Sequence, residues 1–349
     1  VQLNGSSSTG GVTFSWSGPG IVSGGNTATP TVNLAGAYTL TVTNPVNGCT
    51  STSTVNVTND VGIPNVNAGG PQVITCTNPN VVLNGSSSTA GVTFSWVGPG
   101  IVSGGNTATP TVNLNGAYTL TVYDGSNGCS ANANVSVTLN TTLPNASAGA
   151  AQVLNCTATT VQFNGSSSTG GVSFSWSGPG IVSGGATAAP TVNQPGNYVL
   201  TVTNPTNGCT NTANVNVTQN ITPPNANAGA PQLLNCTVTS VQLNGSSSTG
   251  GVTFSWSGPG ITSGGATATP TVNQPGAYTL TIANPANGCI ATANVNVTQN
   301  TTAPNANAGP GQVISCASTS VQLAGSSSTA GTTFSWVGPG IVSGGNTAT

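Results

Sequence analysis

The chain has 349 residues and contains no Lys, Arg, His or Glu; Asp60 and Asp124 are its only acidic side chains, and its formal net charge is −2. A chain without cations cannot neutralise phosphates, which excludes nucleic acid and anionic membrane surfaces as electrostatic partners. With no His, Lys or Glu there is also no side chain suited to moving a proton near neutral pH, so an enzyme is not expected.

The sequence repeats every 80 residues, with Val1, Val81, Val161, Val241 and Val321 in one phase. Eighty residues can hold a small independent core, so the expected organisation is an array of domains rather than a solenoid. Their boundaries are read as 1–60 (partial), 61–140, 141–220, 221–300 and 301–349 (partial). Starting and stopping inside a repeat is expected of a segment of a longer array.

Within 61–140, a Pro/Gly stretch at 64–71 leads into a first strand, Gln72 to Thr77, followed by the turn Asn78-Pro79-Asn80. A short strand at Val81 to Leu83 runs into a Ser-rich loop. Next comes Val92 to Trp96, in which Val92, Phe94 and Trp96 share one face and Thr93 and Ser95 the other. Gly98-Pro99-Gly100 stops that strand. Weak strands follow at Ile101-Val102 and Thr109 to Val112. Ala117 to Tyr123 alternates Tyr118, Leu120 and Val122 inward with Thr119 and Thr121 outward. After a turn at 124–128, Ala131 to Thr138 alternates Ala131, Ala133, Val135 and Val137 with Asn and Ser. Nothing has helical periodicity. Seven or so short alternating strands predict an all-β fold, a tandem array of antiparallel β-sandwiches joined end to end. Trp16, Trp96, Trp176, Trp256 and Trp336 are the predicted core anchors, together with Tyr38, Tyr118, Tyr198 and Tyr278.

A Trp on the third strand and Gly116-Ala117-Tyr118 opening the sixth resemble the immunoglobulin-like plan with its tyrosine corner. More closely, PNANAG at 304–309, VQLNGSSS at 241–248, TFSW at 253–256 and GAYTLT at 276–281 resemble PKD-type and related immunoglobulin-like repeats of giant Bacteroidota surface proteins. The stretch at 38–50, ending in Asn-Gly-Cys-Thr, is similar to repeats of gliding-motility adhesins exported by the type IX route. The resemblance covers every repeat. It implies a fibrous adhesin at the bacterial cell surface or outside the cell. The acidic residues that crowd the Ser-rich loop of many PKD repeats are absent here. Leu83 (Phe163 in the next repeat) and Leu120 stand where antibody domains carry their inter-sheet cysteines.

The eight cysteines fall in two phases. Cys76, Cys156, Cys236 and Cys316 end the first strand of a repeat; Cys49, Cys129, Cys209 and Cys289 sit at the turn before the last. In a surface array they are expected to form disulfides. Pairing within a repeat gives Cys76–Cys129, Cys156–Cys209 and Cys236–Cys289. In an immunoglobulin-like sandwich, however, these two places lie at opposite poles, about 30 Å apart along a strand of 3.3 Å per residue. A disulfide needs Cα atoms within about 7 Å. Stacked repeats would instead bring Cys76 to Cys209 and Cys156 to Cys289, leaving the other four to pair beyond this segment. Both arrangements stay open on the sequence. Metal ligation has no support, since there is no C-x-x-C spacing and no His, and no cofactor is expected.

Asp60 and Asp124 read as solvated linker and turn residues. The Gly-rich stretches read as turns, because no Lys follows them as in a phosphate loop. Asn-x-Ser/Thr triplets arise by chance in so Asn-rich a chain. The leading functional expectation is a stalk or filament segment of a very long adhesin. Its partners are neighbouring repeats of the same chain and, in a filament or bundle, other copies. The alternative is a multivalent array gripping surface glycans through Ser, Thr and Asn.

Overall fold

A computed structural model describes residues 1–349, and it is all-β, with no helix. By internal contacts the chain divides into two compact units: Val1–Asn145 with Ser167–Ser173 and Val202–Asn211, and Ala146–Ser166 with Phe174–Thr201 and Thr212–Thr349.

The first unit begins with β1 (Thr13–Ser17), β2 (Ile21–Ser23), β3 (Thr31–Val32), β4 (Gly36–Thr43) and β5 (Thr50–Val57). It continues with β6 (Gln72–Thr75), β7 (Val81–Val82), β8 (Val92–Val97), β9 (Ile101–Ser103), β10 (Thr111–Val112), β11 (Gly116–Asp124) and β12 (Ser130–Asn140). In 61–140 these make two sheets, β6-β12-β11-β8 and β7-β10-β9. All pairings are antiparallel except β6 on β12, which run parallel with Gln72 opposite Val137. Two sheets with this order make an immunoglobulin-like sandwich.

Period-two alternation decides what enters the core. Tyr118, Leu120 and Val122 of β11 are fully buried, and Trp96, Val135, Val137, Leu83 and Val112 close around them. The Trp96 indole N–H donates to the Thr107 carbonyl at 3.1 Å, so its one polar atom is satisfied. The Tyr118 hydroxyl donates to the Leu114 carbonyl four residues upstream at 2.6 Å, the tyrosine corner expected from Gly116-Ala117-Tyr118. Gly98 is required here: a Cβ on it would lie 2.3 Å from the Tyr118 ring.

In 1–60 the sheets are smaller, β1-β4-β5 and β2-β3. Trp16, Tyr38 and Leu40 are buried as in 61–140. No counterpart of β6 lies beside β5, and β5 is exposed along nearly its whole length.

In the second unit, Gln232–Asn235, Ile290–Asn300, Gly276–Ala283 and Thr253–Ser257 form one four-stranded sheet. Val241–Gln242, Thr271–Val272 and Ile261–Ser263 form the facing three-stranded one. The core is again Trp256, Tyr278 and Leu280. Phe163, in the phase of Leu83, stacks on Trp176 with ring centroids 5.0 Å apart and meets Tyr198 edge-on. Residues 301–349 carry only isolated bridges. Trp336 is half-buried, and its indole N–H donates to the Thr347 carbonyl at 3.0 Å.

Candidate functional site

In 61–140, 141–220 and 221–300 the closing strand and the opening strand of one repeat end side by side; β12 and β6 are parallel and Asn140 lies opposite Thr75. The cysteine that follows β6 therefore sits where the chain leaves for the next repeat. There it meets that repeat's Asn-Gly-Cys turn. Cys76 is bonded to Cys209, with Cα atoms 5.0 Å apart, and Cys156 to Cys289, also at 5.0 Å. Cys129 and Cys236 take no part in pairs within a repeat; with Cys49 and Cys316 they are free thiols.

Each disulfide is set in a hydrogen-bonded clamp. The backbone N–H of Cys76 donates to the Asn207 carbonyl at 3.1 Å. The Asn207 side-chain amide donates to Asn140 Oδ1 at 3.1 Å and to the Thr142 carbonyl at 3.0 Å. Its own Oδ1 accepts from the Cys209 N–H at 3.0 Å. Asn207 is 1 % exposed, so the amide uses both protons and an oxygen where water cannot replace a partner. Gly208 has φ +68°, and a Cβ there would lie 2.1 Å from Thr77 Cγ2 and 2.9 Å from Thr77 Cβ. Thr77 is thus a peg seated on a glycine floor. Asn287, Asn220, Thr222, Gly288 and Thr157 repeat the arrangement around Cys156–Cys289.

The same clamp occurs without a staple between 1–60 and 61–140. Asn127 donates to Asp60 Oδ1 at 3.0 Å and to the Gly62 carbonyl at 3.0 Å. Asp60 occupies the phase of Asn140 and Asn220; it is exposed, as expected of a linker residue, and is also the acceptor of this clamp. Asp124 departs from the sequence reading, being buried. Its carboxylate accepts from the Ser126 hydroxyl at 2.6 Å and the Ser126 N–H at 2.9 Å, and these bonds hold its pKa below the ordinary value. Asn44, Asn204 and Asn284 make the corresponding turn contact. The signal for the clamp was present in the sequence as Asn-Gly-Cys at 47–49, 127–129, 207–209 and 287–289, in step with Asp or Asn at 60, 140, 220 and 300.

The remaining features are structural. Burial pushes the hydroxyls of Tyr118, Tyr198 and Tyr278 above the usual tyrosine range, against the lowering effect of their carbonyl partners. A groove of about 440 Å³ in 1–60 is lined by Ser6, Thr9, Leu40, Val42 and Cys49. In 61–140 the segment carrying Val66 and Ala68 packs against the core on this side, tied by Asn67 to Ser86 and by Asn65 to Thr89.

No family model matches the chain, and no curated protein matches it. Among solved structures, an I-band fragment of titin matches at 13% identity and a TM-score of 0.33, over 68% of this chain and 98% of that one. Sidekick-1 immunoglobulin domains 1–5 match at 15% identity and 0.27, over 86% and 77%. Drosophila N-cadherin EC1–4 matches at 11% identity and 0.25, over 85% and 94%. The immunoglobulin-like assignment rests on this chain's own strand order and tyrosine corner: it is an all-β tandem array of immunoglobulin-like sandwiches.

Proposed function

We propose that the chain is a stalk or filament segment of a very long adhesin, at the bacterial cell surface or outside the cell, in which each 80-residue repeat acts as one domain. The observation that carries this reading is the junction. The most specific chemistry on the molecule, a disulfide inside an Asn clamp, is devoted to joining one repeat to the next. Disulfides persist in oxidising surroundings, which supports an extracellular site. A surface of hydroxyls and amides suits a variable external medium. The resemblance to gliding adhesins supports the bacterial surface and the type IX route as its setting.

Electron microscopy of the chain with and without reductant tests the reading. A straight rod with one density per repeat, loosening to flexible beads on reduction, is the expected result. A collapsed particle under oxidising conditions would refute it.

A glycan-binding array is the second reading. It is favoured by the outer face of β1, β4 and β5, where Thr13, Thr43 and Thr50, then Ser15, Thr41 and Thr52, then Ser17, Thr39 and Thr54 lie in register. Retention of the chain on insoluble polysaccharides, compared with an uncharged control protein, checks it.

A further inference from the structure

The two staples overlap in sequence. Each spans 133 residues, and Cys156 lies inside the first loop while Cys209 lies inside the second. Interlocked loops of this kind change the covalent routes between Cys76 and Cys289. Without staples there is one route, the backbone, of roughly 210 residues; at no more than about 3.6 Å per residue it is the longest tether the segment could become. Either staple alone opens a route one repeat long. With both, a third route appears: across to Cys209, backwards along the chain to Cys156, and across to Cys289. It contains only about 53 residues, and at about 3.5 Å each it caps the distance between Cys76 and Cys289 near 190 Å.

We infer that the overlapping disulfides make this segment an extension limiter, in which repeats pulled from the ends of the chain cannot be drawn out into a long unfolded tether. The inference rests on the stalk reading for its biological use and on covalent connectivity alone for its physics. Unfolding of a sandwich under tension ordinarily releases the whole length of its chain. Here the body of 141–220 hangs between a staple at its opening strand and a staple at its last turn. Tension that enters at Cys209 leaves at Cys156, and the flanking strands Thr210–Asn220 and Gln152–Asn155, which pair in parallel, lie outside that route.

The routes make a non-additive signature. Removing either staple lengthens the shortest route from about 53 to about 80 residues, which frees only about 90 Å. Removing the second frees the 133 residues of a whole loop, about 450 Å. The order of removal does not matter, because the two spans are equal.

Single-molecule pulling from the two termini of the 349-residue chain tests this, at forces that fully extend the reduced protein. Mass spectrometry of digested, unreduced protein verifies the bonds in the same preparation. The oxidised chain should fall short of the reduced one by about 540 Å in final contour length. Cys76→Ser and Cys289→Ser should each regain about 90 Å, and the double variant the full difference. Gains from the two single variants that sum to the full difference, or a contour length indifferent to reductant, would overturn the limiter. A flexible, collapsed particle in the microscope that still shows the non-additive lengths would refute the stalk and leave the limiter standing.

Discussion

Two junctions in the first unit differ in one respect. Between 61–140 and the turn at 207–209, Asn207 is buried, Cys209 is fully covered and bonded to Cys76, and Thr77 sits on Gly208. Between 1–60 and 61–140, Asn127 makes the same two donations but stays half-exposed, Cys129 is a free thiol, and only the Tyr123 hydroxyl comes within 4 Å of a Cβ built on Gly128. The amide donations are common to both junctions; the buried clamp, the disulfide and the Thr77 contact are seen at the second.

The largest expected effect on this difference is reduction. Opening a loop of 133 residues restores unfolded-state entropy worth about 4–5 kcal/mol in the chain-entropy account. Reductant should lower the thermal midpoint of the stapled repeats while leaving any transition from 1–60 in place, as scanning calorimetry would show. Next comes Gly208→Val. It places a branched side chain at φ +68° and against the stiff Thr77, at a cost of about 2–4 kcal/mol. Gly128→Val meets only the backbone penalty, about 1–2 kcal/mol; equal losses in denaturant melts would mean that the peg contributes nothing.

Asn207→Ala strands a buried N–H and two acceptors and should cost about 1–3 kcal/mol. Asn127→Ala, whose partners regain water, should cost well under 1 kcal/mol, as for most surface changes. Amide exchange at Cys209 against Cys129 reads the two sites separately.

The tyrosine corners at Tyr118, Tyr198 and Tyr278 should affect the stapled repeats through one titration. Their folded pKa values lie above the unfolded value, near 10, so the unfolded chain ionises first. Stability should be level through neutral pH, then fall as pH rises past the unfolded value towards the folded one. A melting transition between pH 4 and 8 would contradict an uncharged surface. The smallest effect is Asp60→Asn, which converts the first clamp to the chemistry of the others and should shift stability by no more than about 0.5 kcal/mol.

Much of this architecture was legible because strands of period two declare their faces. Tyr118, Leu120 and Val122 are inward in the sequence and fully buried in the structure. The opposite-pole argument for the cysteines combined the immunoglobulin-like layout with strand length and sulfur geometry. The Asn clamp was not legible from a single repeat. Asn-Gly is a common turn, and the side-chain partner of Asn127, Asp60, lies in another repeat, so only the matching phase of Asp60, Asn140 and Asn220 hinted at it. Asp124 misled for a similar reason: a lone carboxylate in a turn reads as solvated, and only its bonds to Ser126 show how it is held.

The peg and its floor belong to successive repeats, Thr77 to one and Gly208 to the next. A gene encoding such a chain can therefore gain or lose length by unequal recombination in whole periods of 80 residues, because the peg at Thr77, Thr157 and Thr237 and the floor at Gly48, Gly128, Gly208 and Gly288 keep one phase. Gain or loss of part of a period would put a peg opposite the wrong turn. Length is then a heritable variable with a fixed step of one period.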